Sequence, residues 1–345
     1  MREEATTGPR PRPTLLNGSG SLNLVGDSSP FKLAKQQLID VARYDVNVLL
    51  EGDTGTGKEL FANLIHAHSS RHQSPIVAIN CGAIPAELAE SEFFGHLRGS
   101  FTGALQDRPG LVAQADRGSL FLDEISAMSL QVQAKLLRFL QNGEYRPVGS
   151  GRTHSADVRL VSACNTSLEE EAKKGSFRWD LLYRLRVVSI RIPPLKERWE
   201  DVGPLFRHFF RRYSAKFSIP PARLSPNALS ALMEYEWPGN VRELENMAQL
   251  LAIRHAGGLV EPGDLPCLAS GAPPAESRPD SKGSFQRERE KVLETFERTY
   301  LYRLIKRHRG NVSQAAKEAG KDRRTLTRLL KKHEINAALF RSSLG

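Results

Sequence analysis

Lys58 closes the run Gly52-Asp53-Thr54-Gly55-Thr56-Gly57-Lys58, which Glu59 follows. An apolar stretch, Val46 to Leu50, leads into it, and helix-forming residues, Leu60 to His66, lead out. Strand, glycine loop, lysine and helix in that order are what a phosphate-binding loop requires. The glycines allow a tight turn that aims successive N–H groups inward, and the following helix adds its positive end, so phosphate oxygens find a nest. Lys58 adds a full charge within reach of β- and γ-phosphates. Glu59 stands where a hydroxyl would ligate Mg²⁺ in the general pattern, which leaves the metal arrangement open. Further on, Asp123-Glu124 follows the apolar run Leu120-Phe121-Leu122. Asp123 can hold Mg²⁺, directly or through water, and Glu124 can orient and polarise an attacking water. Catalysis from such a set is positioning and charge stabilisation.

The elements around these residues alternate. Helical spacing covers Phe31 to Tyr44, Ala86 to Phe94 and Leu130 to Gln141, with apolar strands at Ile76 to Ile79, Leu120 to Leu122, Arg159 to Ala163 and Val187 to Ile192. Glu144 to His154 can form a hairpin around Gly149-Ser150-Gly151. This order predicts an α/β fold with a parallel sheet covered on both faces. Ligands of such sheets bind at the carboxyl ends of strands, and Lys58, Asn80, Asp123, Glu124 and Asn165 all fall there. Past Pro193-Pro194 the pattern is helical: Asp201 to Phe217, Asn227 to Tyr235, with Ser225-Pro226 as its start, and Val241 to His255, with Asn240 as a cap.

The chain has 345 residues and a net charge of +10, a length for two to three domains. Twelve Lys/Arg and three Asp/Glu lie between Tyr300 and Gly345, so that segment carries +9 of the excess and calls for a polyanion partner. Within it Asn311 to Gly320 reads as a short helix, Lys321-Asp322 as a turn and cap, and Arg323 to Lys332 as a basic helix with Leu326, Leu329 and Leu330 inward. That is a helix-turn-helix. Arg323, Arg324, Thr325, Thr327 and Arg328 are its candidates for phosphate or base-edge contacts with double-stranded DNA. A long helix, Phe285 to His308, precedes it and offers Leu293, Phe296, Tyr300, Leu301 and Leu304 for dimer contacts. Cys81, Cys164 and Cys267 show no paired spacing, which argues against a disulfide framework or zinc site. The N-terminus lacks the apolar core of a signal peptide, and no run is long enough to span a bilayer, so a cytoplasmic protein is expected. The partition expected is a flexible tail (1–23), an α/β subdomain with the phosphate loop (24–195), a small helical subdomain (196–268), a linker rich in Pro, Ser and Gly (269–284) and a helix-turn-helix domain (285–345).

Gly99-Ser100-Phe101-Thr102-Gly103-Ala104 is a glycine-bounded loop whose tip can move; if it projects, Phe101 is an exposed aromatic of the kind that marks contacts.

Taken together these segments resemble the sigma-54-dependent transcriptional activators, bacterial enhancer-binding proteins of the AAA+ ATPase class with a Fis-type helix-turn-helix. The resemblance lies in the phosphate loop with its glutamate at Glu59, in Glu90 to His96 followed by Gly99 to Ala104, in Phe177-Arg178-Trp179-Asp180-Leu181-Leu182-Tyr183-Arg184-Leu185, and in Trp237-Pro238-Gly239-Asn240-Val241-Arg242-Glu243-Leu244, in the family's order. It covers about residues 24–266, with a family-type C-terminal module after it, and makes Glu59 a family trait. It implies ATP and Mg²⁺ as cofactors, with Lys58 on phosphate, Asp123 on the metal and Glu124 activating water. It further implies that Asn80 restrains Glu124 until the ring is loaded, that Asn165 is a sensor polar group, and that Arg242 reaches the nucleotide from the lid of its own subunit. Arg178 and Arg184 would reach a neighbouring subunit's nucleotide, so hydrolysis would need an oligomer, in the family a hexameric ring. The 99–104 loop would touch sigma-54, and Ser100 departs from the commoner alanine.

The function so implied is ATP-driven opening of the sigma-54 RNA polymerase closed promoter complex by a protein anchored at upstream DNA. An ATP-regulated repressor without sigma-54 contact, or a DNA-remodelling motor such as a replication initiator or helicase loader, would share the ATP site; the 99–104 loop separates the main reading from both. Family members often carry a receiver or ligand-sensing domain ahead of the ATPase. About two dozen residues precede Leu24, too few for one, so control in trans, by an inhibitory partner or by protein level, is expected.

Overall fold

The apolar run Val48-Leu49-Leu50 and the stretch Arg159 to Cys164 are buried at every position, the pattern of strands covered on both faces. The structure is a computed structural model that describes residues 24–266 and 310–333, with residues 14, 15, 301, 304, 305, 307 and 308. Contacts divide the chain into two units, Met1–Ala269 and Ser270–Gly345.

The α/β part of the first unit runs β1 (Thr14–Leu15), α1 (Ser29–Ala42), β2 (Val48–Glu51), α2 (Lys58–Ala67), β3 (Ile76–Asn80), α3 (Ala86–Phe94), β4 (Gly95–His96), β5 (Arg108–Pro109), α4 (Leu111–Gln114), β6 (Ser119–Asp123), α5 (Leu130–Asn142), β7 (Glu144–Tyr145), β8 (His154–Ser155), β9 (Arg159–Cys164), α6 (Leu168–Lys173), α7 (Trp179–Leu185) and β10 (Val188–Arg191). The main sheet has the order β1-β3-β6-β9-β2-β10. Its strands are parallel except β1, which pairs antiparallel with β3. Thr14 and Leu15 thus form an edge strand inside the segment expected to be a flexible tail; two residues without periodicity carry no strand signal.

Alternate residues divide the two faces. Leu49, Val77, Leu120, Leu122 and Leu160 pack with α3 to α7, while Val48, Leu50, Phe121, Val161 and Ile190 pack with α1 and α2. In α5 the apolar residues Val132, Leu136, Leu137 and Phe139 are buried, and Gly143 at φ 71° ends the helix. Register sets the carboxyl edge. Asn80 is opposite Asp123, and Glu51 is opposite Cys164. Gly52, Asn80, Asp123 and Asn165 therefore leave the sheet on one side.

The lid comprises α8 (Val202–Phe217), β11 (Arg223–Leu224), α9 (Pro226–Glu234), α10 (Asn240–Arg254) and β12 (Leu259–Val260). Its core is built on Phe206, Phe210, Leu232, Leu244, Leu251 and Trp237, whose indole N–H donates to the Leu232 carbonyl at 2.9 Å. Ser225 caps α9, accepting from Ala228 N–H at 3.1 Å, with Pro226 in the first turn.

In the second unit, α11 (Val312–Glu318) is capped by Asn311 and α12 (Arg323–Lys332) by Asp322. Leu301, Leu304, Ile305, Ala315, Ala316, Leu326 and Leu330 form its core. Leu301 and Leu304, expected at a dimer contact, are thus buried inside their own chain, while Leu293, Phe296 and Tyr300 lie outside the described residues, as does Cys267. No helix among the described residues is long and apolar enough to cross a membrane.

Candidate nucleotide-binding and catalytic site

β2 delivers the chain to Gly52, whose N–H donates to the Cys164 carbonyl of β9 at 3.2 Å. Gly55 and Gly57 take φ values of 80° and 103°, which glycine tolerates and other residues resist. Gly55 is also needed for close approach: a Cβ there would lie 2.3 Å from the Gly239 carbonyl oxygen of the lid. Thr56 Oγ1 donates to the Asp53 carbonyl at 2.8 Å. Lys58 is buried and folds back into the loop, where Nζ donates to the Gly52 and Asp53 carbonyls at 2.7 and 3.1 Å. Burial lowers its pKa, opposed chiefly by Asp123. Burial in turn raises the pKa of Asp123, opposed first by Lys58 and also by the Arg242 charge from the lid. Lys58 and Asp123 thus act on each other as opposite charges at the carboxyl edge of the sheet.

Asp123 Oδ1 accepts from Glu124 N–H at 3.0 Å. Glu124 itself sits in the left-handed region, φ 51° and ψ 46°, a strained backbone for a non-glycine residue and one found at functional sites. Asn80 Oδ1 accepts from Gly82 N–H at 2.8 Å. A Cβ on Gly82 would lie 2.8 Å from Glu124 Oε2 and 3.2 Å from Asn80 Oδ1. Asn80 and Glu124 therefore flank Gly82, and no hydrogen bond joins them directly among the described residues. Asn165 Nδ2 reaches the loop, donating to Thr54 Oγ1 at 3.2 Å. Burial raises the thiols of Cys81 and Cys164, the latter to about 12, so both are packing groups.

The lid meets the loop through the start of α10. Val241 and Arg242 N–H groups both donate to the Gly55 carbonyl, at 3.0 and 3.3 Å. Asn240, expected as the cap, does something else: its backbone has φ 52°, its Oδ1 accepts from Leu195 N–H at 2.7 Å, and its Nδ2 donates to the Thr54 carbonyl at 3.0 Å. The orphan N–H groups of a helix start are met here by the phosphate loop itself. Arg198 adds a contact that nothing in residue type or spacing announced. It is buried, lies 4.3 Å over the Phe31 ring, and its Nη2 donates to the Thr56 carbonyl at 3.1 Å. Burial pulls its pKa down to about 10.

Arg178 and Arg184 are exposed and are not among the groups that line this loop. The Arg178 guanidinium is paired with Asp180 through bonds of 3.0 and 2.6 Å. Arg184 donates to the Leu140 carbonyl at 3.2 and 2.8 Å, and its own carbonyl accepts from Asn47, ahead of β2. The phosphate loop leaves the other end of β2, about 13 Å away at strand rise.

In the 99–104 loop, Gly99 N–H donates to the Ala104 carbonyl at 2.9 Å, and Gly99 and Gly103 have φ of 78° and 102°. Phe101 is half-buried rather than projecting, its ring edge-on to buried His96 at 5.0 Å. Just past the loop, Leu105 is 85% exposed. Val148 of the β7–β8 connection bonds to Gly95 and Leu97 at the loop's base, and a Cβ on Gly149 would lie 2.6 Å from Ser100 Cβ. In α12, Arg323, Arg324, Thr327 and Arg328 are exposed, whereas the Thr325 hydroxyl is occupied by Asp322 at 2.5 Å and Thr327 donates to the Arg323 carbonyl at 2.8 Å.

A phosphate loop on a parallel sheet, an acidic pair at the adjacent strand end and a helical lid bonded to the loop define an AAA+ ATPase. The comparisons with known proteins carry the assignment further. Residues 24–191 match the Sigma-54 interaction domain, 196–282 the AAA+ ATPase lid domain, and 292–333 the bacterial regulatory protein Fis family. The chain is 41% identical over 308 residues to the transcriptional regulatory protein ZraR of Klebsiella oxytoca, covering 89% of this chain and 68% of that one. It is 40% identical over 327 residues to the C4-dicarboxylate transport transcriptional regulatory protein DctD of Rhizobium meliloti, covering 95% and 68%. The crystal structure of NtrX from Brucella abortus in complex with ATP superposes with a TM-score of 0.70 at 34% identity, covering 90% of this chain and 70% of that one. The chain belongs to the family of sigma-54-dependent transcriptional regulators, and spans about two thirds of the length of these relatives.

Proposed function

We propose that the chain hydrolyses ATP at Lys58, Asp123 and Glu124 of one subunit with Arg178 and Arg184 supplied by the next, and that the 99–104 loop conveys the nucleotide state to sigma-54 polymerase. The observation that supports the subunit division is that the exposed Arg184 guanidinium is held on the Leu140 carbonyl of α5, while its backbone carbonyl meets Asn47 ahead of β2, and no hydrogen bond among the described residues ties it to its own phosphate loop. An arginine so placed serves a nucleotide only across a boundary, so the working form is a closed ring, by the family a hexamer.

Lys58 is held by two carbonyls that a triphosphate would replace with stronger, charged acceptors. Glu124 is fixed beside Gly82 and would orient the attacking water. Asn80 holds the Gly82 amide, so its influence on Glu124 passes through the backbone between them. Mg²⁺ suits this set: Asp123 uses one carboxylate oxygen on Glu124 N–H and leaves the other for a metal, whose remaining ligands would be phosphate and water oxygens. The metal would neutralise charge on the phosphates. Asn165 and Arg242, both tied to the loop, would report its occupancy to the sheet and lid. Arg323, Arg324 and Arg328 would hold upstream DNA.

Thr102→Ala in a purified sigma-54 transcription system tests this reading. ATPase activity should remain and open-complex formation should be lost; transcription at the wild-type level would refute the coupling.

A further inference from the structure

Arg186 lies just past α7, two residues from Arg184. Its Nη2 donates to Glu51 Oε1 at 2.9 Å, and its Nη1 is paired with Glu169. Glu51 ends β2 and adjoins Gly52; its other oxygen accepts from Ser189 Oγ of β10 at 2.6 Å. Glu169 is in the first turn of α6, four residues after Asn165. One guanidinium therefore joins the strand that feeds the phosphate loop, the segment that carries Asn165, and the end of the helix that carries Arg184. Its Nε is one of five buried side-chain polar atoms left without a partner among the described residues. An unmet buried N–H is a standing cost, so the two charge-assisted pairs hold the guanidinium in place against it. Lys58 provides the input: it now rests on the carbonyl of Gly52, next to Glu51, and would leave it for phosphate.

We propose that Arg186 is a positioning residue that, with Glu51 and Glu169, ties the Arg184 end of α7 to the phosphate-loop strand, so that one subunit's nucleotide state sets how it presents Arg184 to its neighbour. This rests on the reading that Arg184 acts across a subunit boundary. Arg178 lacks such a tie, since its guanidinium is satisfied by Asp180 on its own helix.

The test uses full-length variants singly and in mixed assemblies. Arg186→Gln should lower kcat about tenfold, the effect of losing roughly one charged hydrogen bond, with ATP affinity unchanged. Glu51→Gln should lower kcat in the same direction, and Arg186→Lys, which keeps one charged bond, should restore most of it. Unchanged kcat, or a loss seen equally in ATP affinity, overturns the proposal. Mixing Arg184→Ala subunits, with intact sites, and Glu124→Gln subunits, with intact arginines, should regenerate ATPase activity; no regeneration removes the trans reading and the proposal with it. If activity returns, Arg186→Gln added to the Glu124→Gln subunit should cut the gain about tenfold, while the same change on the Arg184→Ala subunit should spare it. Equal effects from either subunit would make Arg186 a general structural residue and overturn the proposal alone.

Discussion

Gly82 has no side chain, and the placement of Glu124 depends on that. An alanine Cβ there would lie 2.8 Å from Glu124 Oε2, closer than such contacts occur, with Asn80 Oδ1 on the other flank. Gly82→Ala should displace the Glu124 carboxylate and lower kcat by at least about tenfold, with ATP still bound and thermal unfolding little changed; steady-state turnover beside nucleotide titration separates these effects. Lys58→Ala removes the buried ammonium at the phosphate loop, so ATP binding itself should be lost in the same titration. Residue type and spacing were enough to single out Lys58, Asp123 and Glu124, because their chemistry is local to their motifs. Gly82, Arg186 and Arg198 were not legible in this way. Their importance arises from what the fold brings against them: a carboxylate, two acidic partners from other elements, and the Thr56 carbonyl.

Elements were read more surely than contacts between them. The helix over Ala86 to Phe94 and the basic helix over Arg323 to Lys332 have the expected bounds, since apolar periodicity and caps are written along the chain. Asn240 was legible only as a cap, because a sequence cannot show that the phosphate loop's own carbonyl meets the start of α10. Asn240→Ala would break bonds to both the α/β–lid junction at Leu195 and the loop at Thr54. It should cost about 1–3 kcal/mol, since it leaves a buried N–H unmet, and weaken ATP binding; thermal unfolding with and without nucleotide measures both, and unchanged values would assign the lid contact to Val241 and Arg242 alone. The 99–104 loop offers a parallel case. Phe101 would be an exposed aromatic only if the loop projects; here its ring lies edge-on to His96, and the β7–β8 connection packs against Ser100. A Cβ on Gly149, at φ 80°, would strike Ser100. Gly149→Ala should therefore change sigma-54-dependent transcription while leaving basal ATPase activity in place.

At the scale of the molecule, the chain divides into two units, and the described residues of each form apolar clusters of their own. The charge divides with them, since the segment from Tyr300 onward carries +9 of the net +10. Binding to a polyanion through such a surface releases counterions, so its affinity must fall with salt in proportion to the phosphates it contacts. Arg324 is exposed on α12 while Asp322 caps the helix and Leu326 and Leu330 anchor it to the core. Replacing Arg324 thus removes a charge without disturbing the fold that presents it. Arg324→Ala should weaken binding to upstream DNA and reduce the slope of log K against log salt by about 1 if the side chain meets a phosphate. A base-edge contact would instead leave the slope nearly as it was and relax sequence preference at one position, by about 1–3 kcal/mol. In both cases ATPase activity measured without DNA should equal the wild type, because Arg324 belongs to a different unit of the chain from Lys58, Asp123 and Glu124. Unchanged affinity and slope would place Arg324 off the DNA and leave the contact to Arg323 and Arg328.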